Sequence, residues 1–429
     1  MIFYIVVFII IFLIIFIVIF YCMIKQVFVK ENLYLIIPAI CIGIWALIST
    51  LDLGCCGVPL WTGDYVGWYL AGRQILENPG KLYDVYGYHY LPSFAVFFAI
   101  TFSNLPFIIG FYCFFIINYI LGILIIREFN KILILMNIKQ KIHRFMFLMI
   151  ISNGTYVFYQ FRCTQSKFYV LLIFLFIIKR ELLFEKGDLV KNLKQYLINY
   201  GLLVFAIGMA PYFIFLLLIY VFYDIPIKEF FNKDNIKKYI IAIGLFLIEN
   251  ILFIIYPSSI LDFLNGYRHS AYYPSGRRKR YKVSLLNGMV ISRRFMNYII
   301  ISSILILSIT SLILILSKNL RIEEKFGYFS LIYLIFGAFS NSIYLYLMLF
   351  SLVLLLFVPH LNQNLNGTKF LKHNIIFLIG LGSLFSILLI PVEYLGPNVY
   401  ILLDNIPIFI FFSIMMISLI QLKSKRYKI

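Results

Sequence analysis

Apolar runs long enough to cross a bilayer recur from one end of this chain to the other, at residues 2–20, 33–51 and 400–422 among others. A helix of about 20 apolar residues fills the hydrocarbon core. In lipid every backbone N–H and C=O must be satisfied internally, which leaves helices and closed barrels as the spanning structures. These runs are continuous rather than short and alternating, which speaks against a barrel. The expected fold is therefore all-α, a polytopic integral membrane protein with about 11–13 transmembrane helices. Composition agrees, at 63% hydrophobic and 13% charged. The first run has neither a basic leader nor a small-residue cleavage site, so it is expected to stay as a helix. No polar stretch is long enough to fold alone, so residues 1–429 read as one membrane domain.

Charge orients the spans. Lys25, Lys30, Arg127, Lys131, Lys139, Lys141 and Arg144 mark cytoplasmic loops, as do Lys179, Arg180, Lys186, Lys191 and Lys194 and the tail from Lys423 to Lys428. This places the loop at 54–106 outside. The net charge of +19 fits such loops together with the abundant Lys of an AT-rich coding bias. Nucleic acid is not an expected partner, because no soluble basic domain exists to hold it. The six cysteines show no metal spacing. Cys41, Cys113 and Cys163 read as small hydrophobes, and the adjacent Cys55 and Cys56 as free thiols, since a bridge between neighbours is strained.

Two breaks interrupt the apolar pattern. Residues 92–105 are short and bracketed by Pro92 and Pro106, so they read as an interfacial or re-entrant piece, with the next span at 107–127. Pro211, in Gly208-Met209-Ala210-Pro211, predicts a kink or two short helices. The segment 257–295 counts as outside, yet it carries Arg268, His269, Arg277, Arg278, Lys279, Arg280, Lys282, Arg293 and Arg294. It is either an anion site for a lipid phosphate or an ordinary cytoplasmic loop after a miscounted span, and charge alone leaves both open.

The chemistry concentrates in residues 61–92, a long polar interruption between greasy segments. Tyr65, Trp68, Tyr69, Gly72, Ile75 and Leu76 fall at helical spacing, with Arg73, Gln74 and Glu77 mostly opposite. That pattern predicts an amphipathic helix in the membrane interface. Asp64 at its start is either a helix N-cap or a general base, and the two roles are compatible. His89 and Tyr90 either touch substrate or belong to an interfacial aromatic cluster. Gln160, Arg162, Thr164, Gln165 and Lys167 form a polar break whose bland reading is an outer turn. Glu249 in an apolar run is a functional candidate or a hydrogen-bonded structural acid. There is no P-loop, HExxH or GxSxG, so nucleotide-driven and zinc chemistry are not expected, and neither is a cofactor or metal.

The run from Gly63 to Pro106 resembles the first outer loop of the polyprenyl-phosphate-mannose-dependent enzymes of glycosyltransferase family 87. The matching positions are Asp64-Tyr65, Ala71-Gly72, Gly80-Lys81-Leu82-Tyr83, Tyr88-His89-Tyr90-Leu91-Pro92 and Leu105-Pro106. Of the family's Gly-Gln-x-Asn turn, Thr164-Gln165-Ser166-Lys167 retains the Gln, and Gly208 to Pro211 echoes its Lys-x-x-Pro span without the Lys. Asn287-Gly288-Met289 to Arg293 looks like the family's Asn-containing segment before an Arg. Residues 339–346 stand where the family has Ser-Trp-x-His-His and lack both His.

The resemblance implies a GT-C-type fold in the plasma membrane of a prokaryote, with the active site on the outer face. A hexose, mannose in this family, would pass from a polyprenyl- or dolichyl-phosphate donor to a glycolipid or glycan acceptor with inversion. Asp64 would be the general base, and Tyr65, Tyr69, His89, Tyr90 and Gln165 would line the substrate. Arg268, His269, Arg277, Arg278 and Arg280 would grip the donor phosphate. If that cluster only faces anionic headgroups, Arg162 and Lys167 are the next cations able to hold it. The alternatives are a transporter or flippase of lipid-linked saccharides, and an inactive relative serving as a scaffold.

Overall fold

The computed structural model describes residues 33–55, 64–85, 88, 90–152, 157, 160–161, 164–190, 192–223, 225–271, 293–336, 351–356 and 358. Among these residues every regular element is a helix. One helix, Phe107–Leu135, is long and apolar enough to cross a membrane, and shorter apolar helices lie at Tyr34–Ser49, Pro92–Thr101, Leu193–Met209 and Ile301–Leu316.

The elements that position the site are α1 (Leu33–Cys55), α2 (Asp64–Glu77), α3 (Pro92–Thr101), α4 (Phe107–Leu135), α5 (Lys141–Ser152), α6 (Lys167–Glu185), α7 (Leu193–Met209) and α8 (Ile214–Val221). Beyond them come α9 (Lys233–Glu249), α10 (Leu252–Ile255), α11 (Ser258–Ala271), α12 (Arg293–Leu316) and α13 (Ile322–Phe336). At 29 residues α4 is about 43 Å long, more than the hydrocarbon core requires.

Helices α4 and α6 run parallel. Phe114 stacks on Tyr169 near their starts, and Glu128 meets Lys179 toward their ends. The intervening chain must therefore return to the end of the bundle where α4 began. Helix α7 leads back to that end, and Pro211 turns it. Ala210 leaves the helix at φ −155, Pro211–Phe213 form one 3-10 turn, and α8 descends again. The return is fixed by Tyr220 of α8, which donates to Glu181 of α6 at 2.6 Å and accepts from Asn199 of α7. The Pro211 break thus gives two helices joined as a hairpin, one of the two outcomes the sequence allowed. Helix α3 is likewise short, and α4 starts right after Pro106, as the bracketing prolines suggested.

Outward faces are apolar while inward faces carry small and polar groups. On α4, Ile109, Tyr112, Ile116, Ile120 and Ile123 are exposed, whereas Gly110, Phe114, Asn118 and Gly122 are buried. On α12, Ile301, Leu305, Ile309 and Leu312 are exposed, whereas Ser303 and Ser311 are buried. Soluble monomers rarely show such contiguous apolar stripes, and small or polar residues between helices are the habit of membrane bundles.

Three details depart from the sequence reading. On α2 the buried face holds Tyr65, Trp68, Tyr69, Ala71 and Gly72, but Leu76 is exposed and Ile75 only half-buried, because α3 has ended where they point. Glu249 closes α9 rather than lying within a span, and the chain turns at Asn250. The polar break at 160–167 is not a solvated turn: Gln160, Thr164, Gln165, Ser166 and Lys167 are all buried. Of the cysteines, Cys41 is buried and free as expected of a small hydrophobe, and Cys113 is free and half-buried.

Candidate functional site

The site is assembled by backbone groups that the breaks set free. Pro211 has no N–H, and the Phe213 N–H goes to Ala210 O, so the Met209 carbonyl has no helical donor. The Lys167 ammonium donates to it at 3.2 Å. The neighbouring Gly208 carbonyl accepts from the Leu91 N–H at 3.3 Å. Leu91 is extended, as a residue before proline prefers, and Pro92 opens α3. Gly208 lets the two segments meet closely: a Cβ at this position would collide with the Ser93 hydroxyl unless that hydroxyl turned away. The start of α3, the start of α6 and the end of α7 therefore meet at one junction.

Helix α2 brings Asp64 to that junction. Asp64 is the first residue of the helix and is half-buried. Its carboxylate favours the positive end of α2, and its Oδ2 accepts from the Gln165 amide at 2.5 Å. The Tyr65 N–H donates to Thr164 Oγ1 at 3.3 Å. Thr164 has φ +48, a left-handed conformation that costs a β-branched residue about 1–3 kcal/mol. The surrounding contacts hold that turn, and it aims Gln165 at Asp64.

Tyr90 packs at the same junction. The Lys167 ammonium lies 5.4 Å from its ring centroid, and the ring packs edge-on against Trp68. Tyr83 donates to Tyr90 O at 3.0 Å, and Tyr88 donates to Leu91 O at 2.7 Å. Burial pushes both phenols well above their usual range, with the Asp262 charge adding to the shift of Tyr83, so both stay protonated donors at neutral pH.

The expected site residues are thus distributed unevenly. Asp64, Gln165 and Tyr90 come together. Tyr65 is fully buried among Phe98, Phe107, Phe111 and Phe114, and Tyr69 donates to Leu105 O, so both rings serve packing of the α2–α3–α4 unit. Arg268 and His269 fall on α11, which with α10 packs against the Pro79–Asp84 turn: Tyr83 lies against Phe253 of α10 and Phe263 of α11, and Gly80 against Tyr256 between them. His89, Arg162, Arg277, Arg278, Arg280, 287–289 and 339–346 lie outside the described residues. Among the described residues no group of three or more His, Cys, Asp or Glu could hold a metal ion.

Lys167 is the group that sequence reasoning undervalued. Its signal was there: a lysine opening an apolar run, where a charge is functional by default. The far end of the bundle carries a different network, with Glu128 bridging Lys131 at 2.7 Å and Lys179 at 2.5 Å.

In comparisons with protein families, curated proteins and solved structures, no family model, curated protein or solved structure matches the chain. The resemblance to glycosyltransferase family 87 rests on the residues quoted above.

Proposed function

We propose that this chain is a polytopic membrane glycosyltransferase of GT-C type, resembling glycosyltransferase family 87. In this reading it moves a hexose, mannose, from a polyprenyl- or dolichyl-phosphate donor to a glycolipid or glycan acceptor on the outer face of a prokaryotic plasma membrane. The observation that carries the reading is the placement of Asp64. A half-buried carboxylate beside a junction built from three broken apolar segments is held by the Gln165 amide, within electrostatic reach of a buried lysine.

The chemistry follows from that arrangement. Asp64 takes the proton of the acceptor hydroxyl as its oxygen attacks the anomeric carbon. The bond from that carbon to the phosphate oxygen breaks on the opposite face, its electron pair stays on the phosphate, and the configuration inverts. The Gln165 amide fixes the carboxylate so that its free oxygen keeps one orientation.

Two further features support the reading. The apolar outward stripes on α4 and α12 suit lipid as the surrounding solvent. The contact between the Pro79–Asp84 turn and α11 favours placing the Asp64 loop and the start of the basic segment on one side, with the Glu128–Lys179 network on the other. The test is purified protein incubated with labelled lipid-phosphate mannose and extracted membranes. Transfer of label to a lipid or glycan supports the reading, and intact donor after prolonged incubation contradicts it.

A further inference from the structure

Lys167 is 1% exposed. An ammonium removed from water is costly unless its charge is answered. Among the described residues it has one hydrogen-bond acceptor, Met209 O at 3.2 Å, and the face of Tyr90. Asp64 lies within electrostatic reach, but the two form no ion pair. An ammonium has three N–H donors, so one carbonyl leaves two unmatched.

The neighbouring groups are also donors in surplus. The Ser166 hydroxyl is fully buried, has no hydrogen-bond partner among the described residues and caps no N–H of α6. The Ser93 hydroxyl, at the second position of α3, is buried and without a partner, and it lies against Gly208. Buried hydroxyls are ordinarily bonded, so two at one junction need an explanation. Helices α3 and α6 both present their positive ends here, and neither cap residue's side chain satisfies a backbone N–H. The carbonyl end of α7 is answered by Lys167 itself. Against these donors stand the Asp64 carboxylate, already bonded to the Gln165 N–H, and the neutral Gln165 amide oxygen, so among the described residues no second charge answers the ammonium directly.

We infer that Lys167, with the hydroxyls of Ser93 and Ser166, is the phosphate grip of this site, taking the phosphate that joins sugar to lipid in the donor. The inference rests on the reading above for the donor's identity. A tetrahedral oxyanion supplies the acceptors these groups lack. As the sugar–phosphate bond breaks, the departing oxygen gains charge beside the buried ammonium, where it is stabilised more strongly than in water. The basic segment that contains Arg268 then serves anionic headgroups around the entrance.

The experiment measures binding of undecaprenyl phosphate, of undecaprenol (the same tail without phosphate) and of inorganic phosphate to full-length protein in detergent. Wild type binds the lipid phosphate more tightly than the alcohol. Lys167→Gln weakens lipid-phosphate binding about tenfold or more, the loss expected of a charge-assisted contact, and leaves undecaprenol binding unchanged. Ser93→Ala and Ser166→Ala, which remove only a hydroxyl each and protect the test against a misfolded lysine variant, weaken it about two- to fivefold. Inorganic phosphate that competes in wild type but not in Lys167→Gln marks a site for the free ion as well as for the lipid.

Folded variants that all bind undecaprenyl phosphate as wild type does overturn the inference. If wild type also transfers mannose, the proposed function survives that failure. If binding depends on Lys167 but nothing is transferred, the inference stands and the proposed function falls.

Discussion

Substituting Gly72 by Ala tests the packing that carries Asp64 into place. A Cβ at Gly72 would lie 2.8 Å from the Ala99 backbone nitrogen of α3 and 2.9 Å from Ser103 Cβ, and would collide with the Ser103 hydroxyl. Ordinary contact is 3.4–4 Å, so α2 must move away from α3 by about 0.6–1.2 Å. Overpacking of this kind costs about 1–3 kcal/mol, and the better helix propensity of Ala returns up to about 1 kcal/mol. The expected net loss is about 1–2 kcal/mol. Asp64 lies on the same rigid helix, about 12 Å away. A displacement near 1 Å at a reacting group is worth about 10²-fold in rate. The assay pairs thermal unfolding in detergent with sugar transfer. Gly72→Ala should unfold earlier and transfer far more slowly. Adding Ser103→Ala should not restore it, because the Ala99 backbone remains in the way and the bond from Ser103 to Tyr69 O is lost. Wild-type unfolding and wild-type transfer in Gly72→Ala would refute the close approach of α2 and α3.

Two further predictions address the site and its sidedness. Gln165→Leu removes the amide that orients Asp64, and transfer should fall about tenfold or more while donor binding persists; unchanged transfer would show that the carboxylate needs no positioning. Cysteines at Lys81, Arg278 and Lys425 in sealed cells should react with an impermeant reagent at 81 and 278 and stay protected at 425. Reaction at 425 but not 81 would invert the topology, and protection at 278 alone would remove the basic segment from the Asp64 side.

Local pattern carried much of the fold. Helical spacing of Tyr65, Trp68, Tyr69 and Gly72 announced α2 and its apolar stripe, but the stripe packs on α3 and α4 where an interfacial helix would have turned it to the lipid. Pro92 and Pro106 announced where α3 and α4 begin, and Pro211 where α7 gives way to the next turn, because proline suits the start of a helix and disrupts an interior turn. The meeting of Asp64 with Gln165, 101 residues apart, was not legible from spacing. It depends on α4 and α6 running parallel, a tertiary choice that no window of sequence encodes. The same cause hid the burial of Thr164 to Lys167, since a cluster of polar residues between apolar runs looks like a solvated turn until its neighbours are known. The resemblance to a family supplied Gln165 as a candidate, and the geometry then tied it to Asp64. It pointed the phosphate toward the basic segment, whereas two buried hydroxyls without partners among the described residues, Ser93 and Ser166, stand at the Lys167 junction.

The most direct measurement is sugar transfer by Asp64→Asn. Asparagine keeps the size of the side chain and an oxygen that can accept from Gln165, but it cannot take a proton. The account predicts a loss of about 10²–10⁴ in transfer rate, with the unfolding temperature and undecaprenyl phosphate binding of wild type retained. Transfer within a few-fold of wild type by the folded variant would contradict the role of Asp64 as the base.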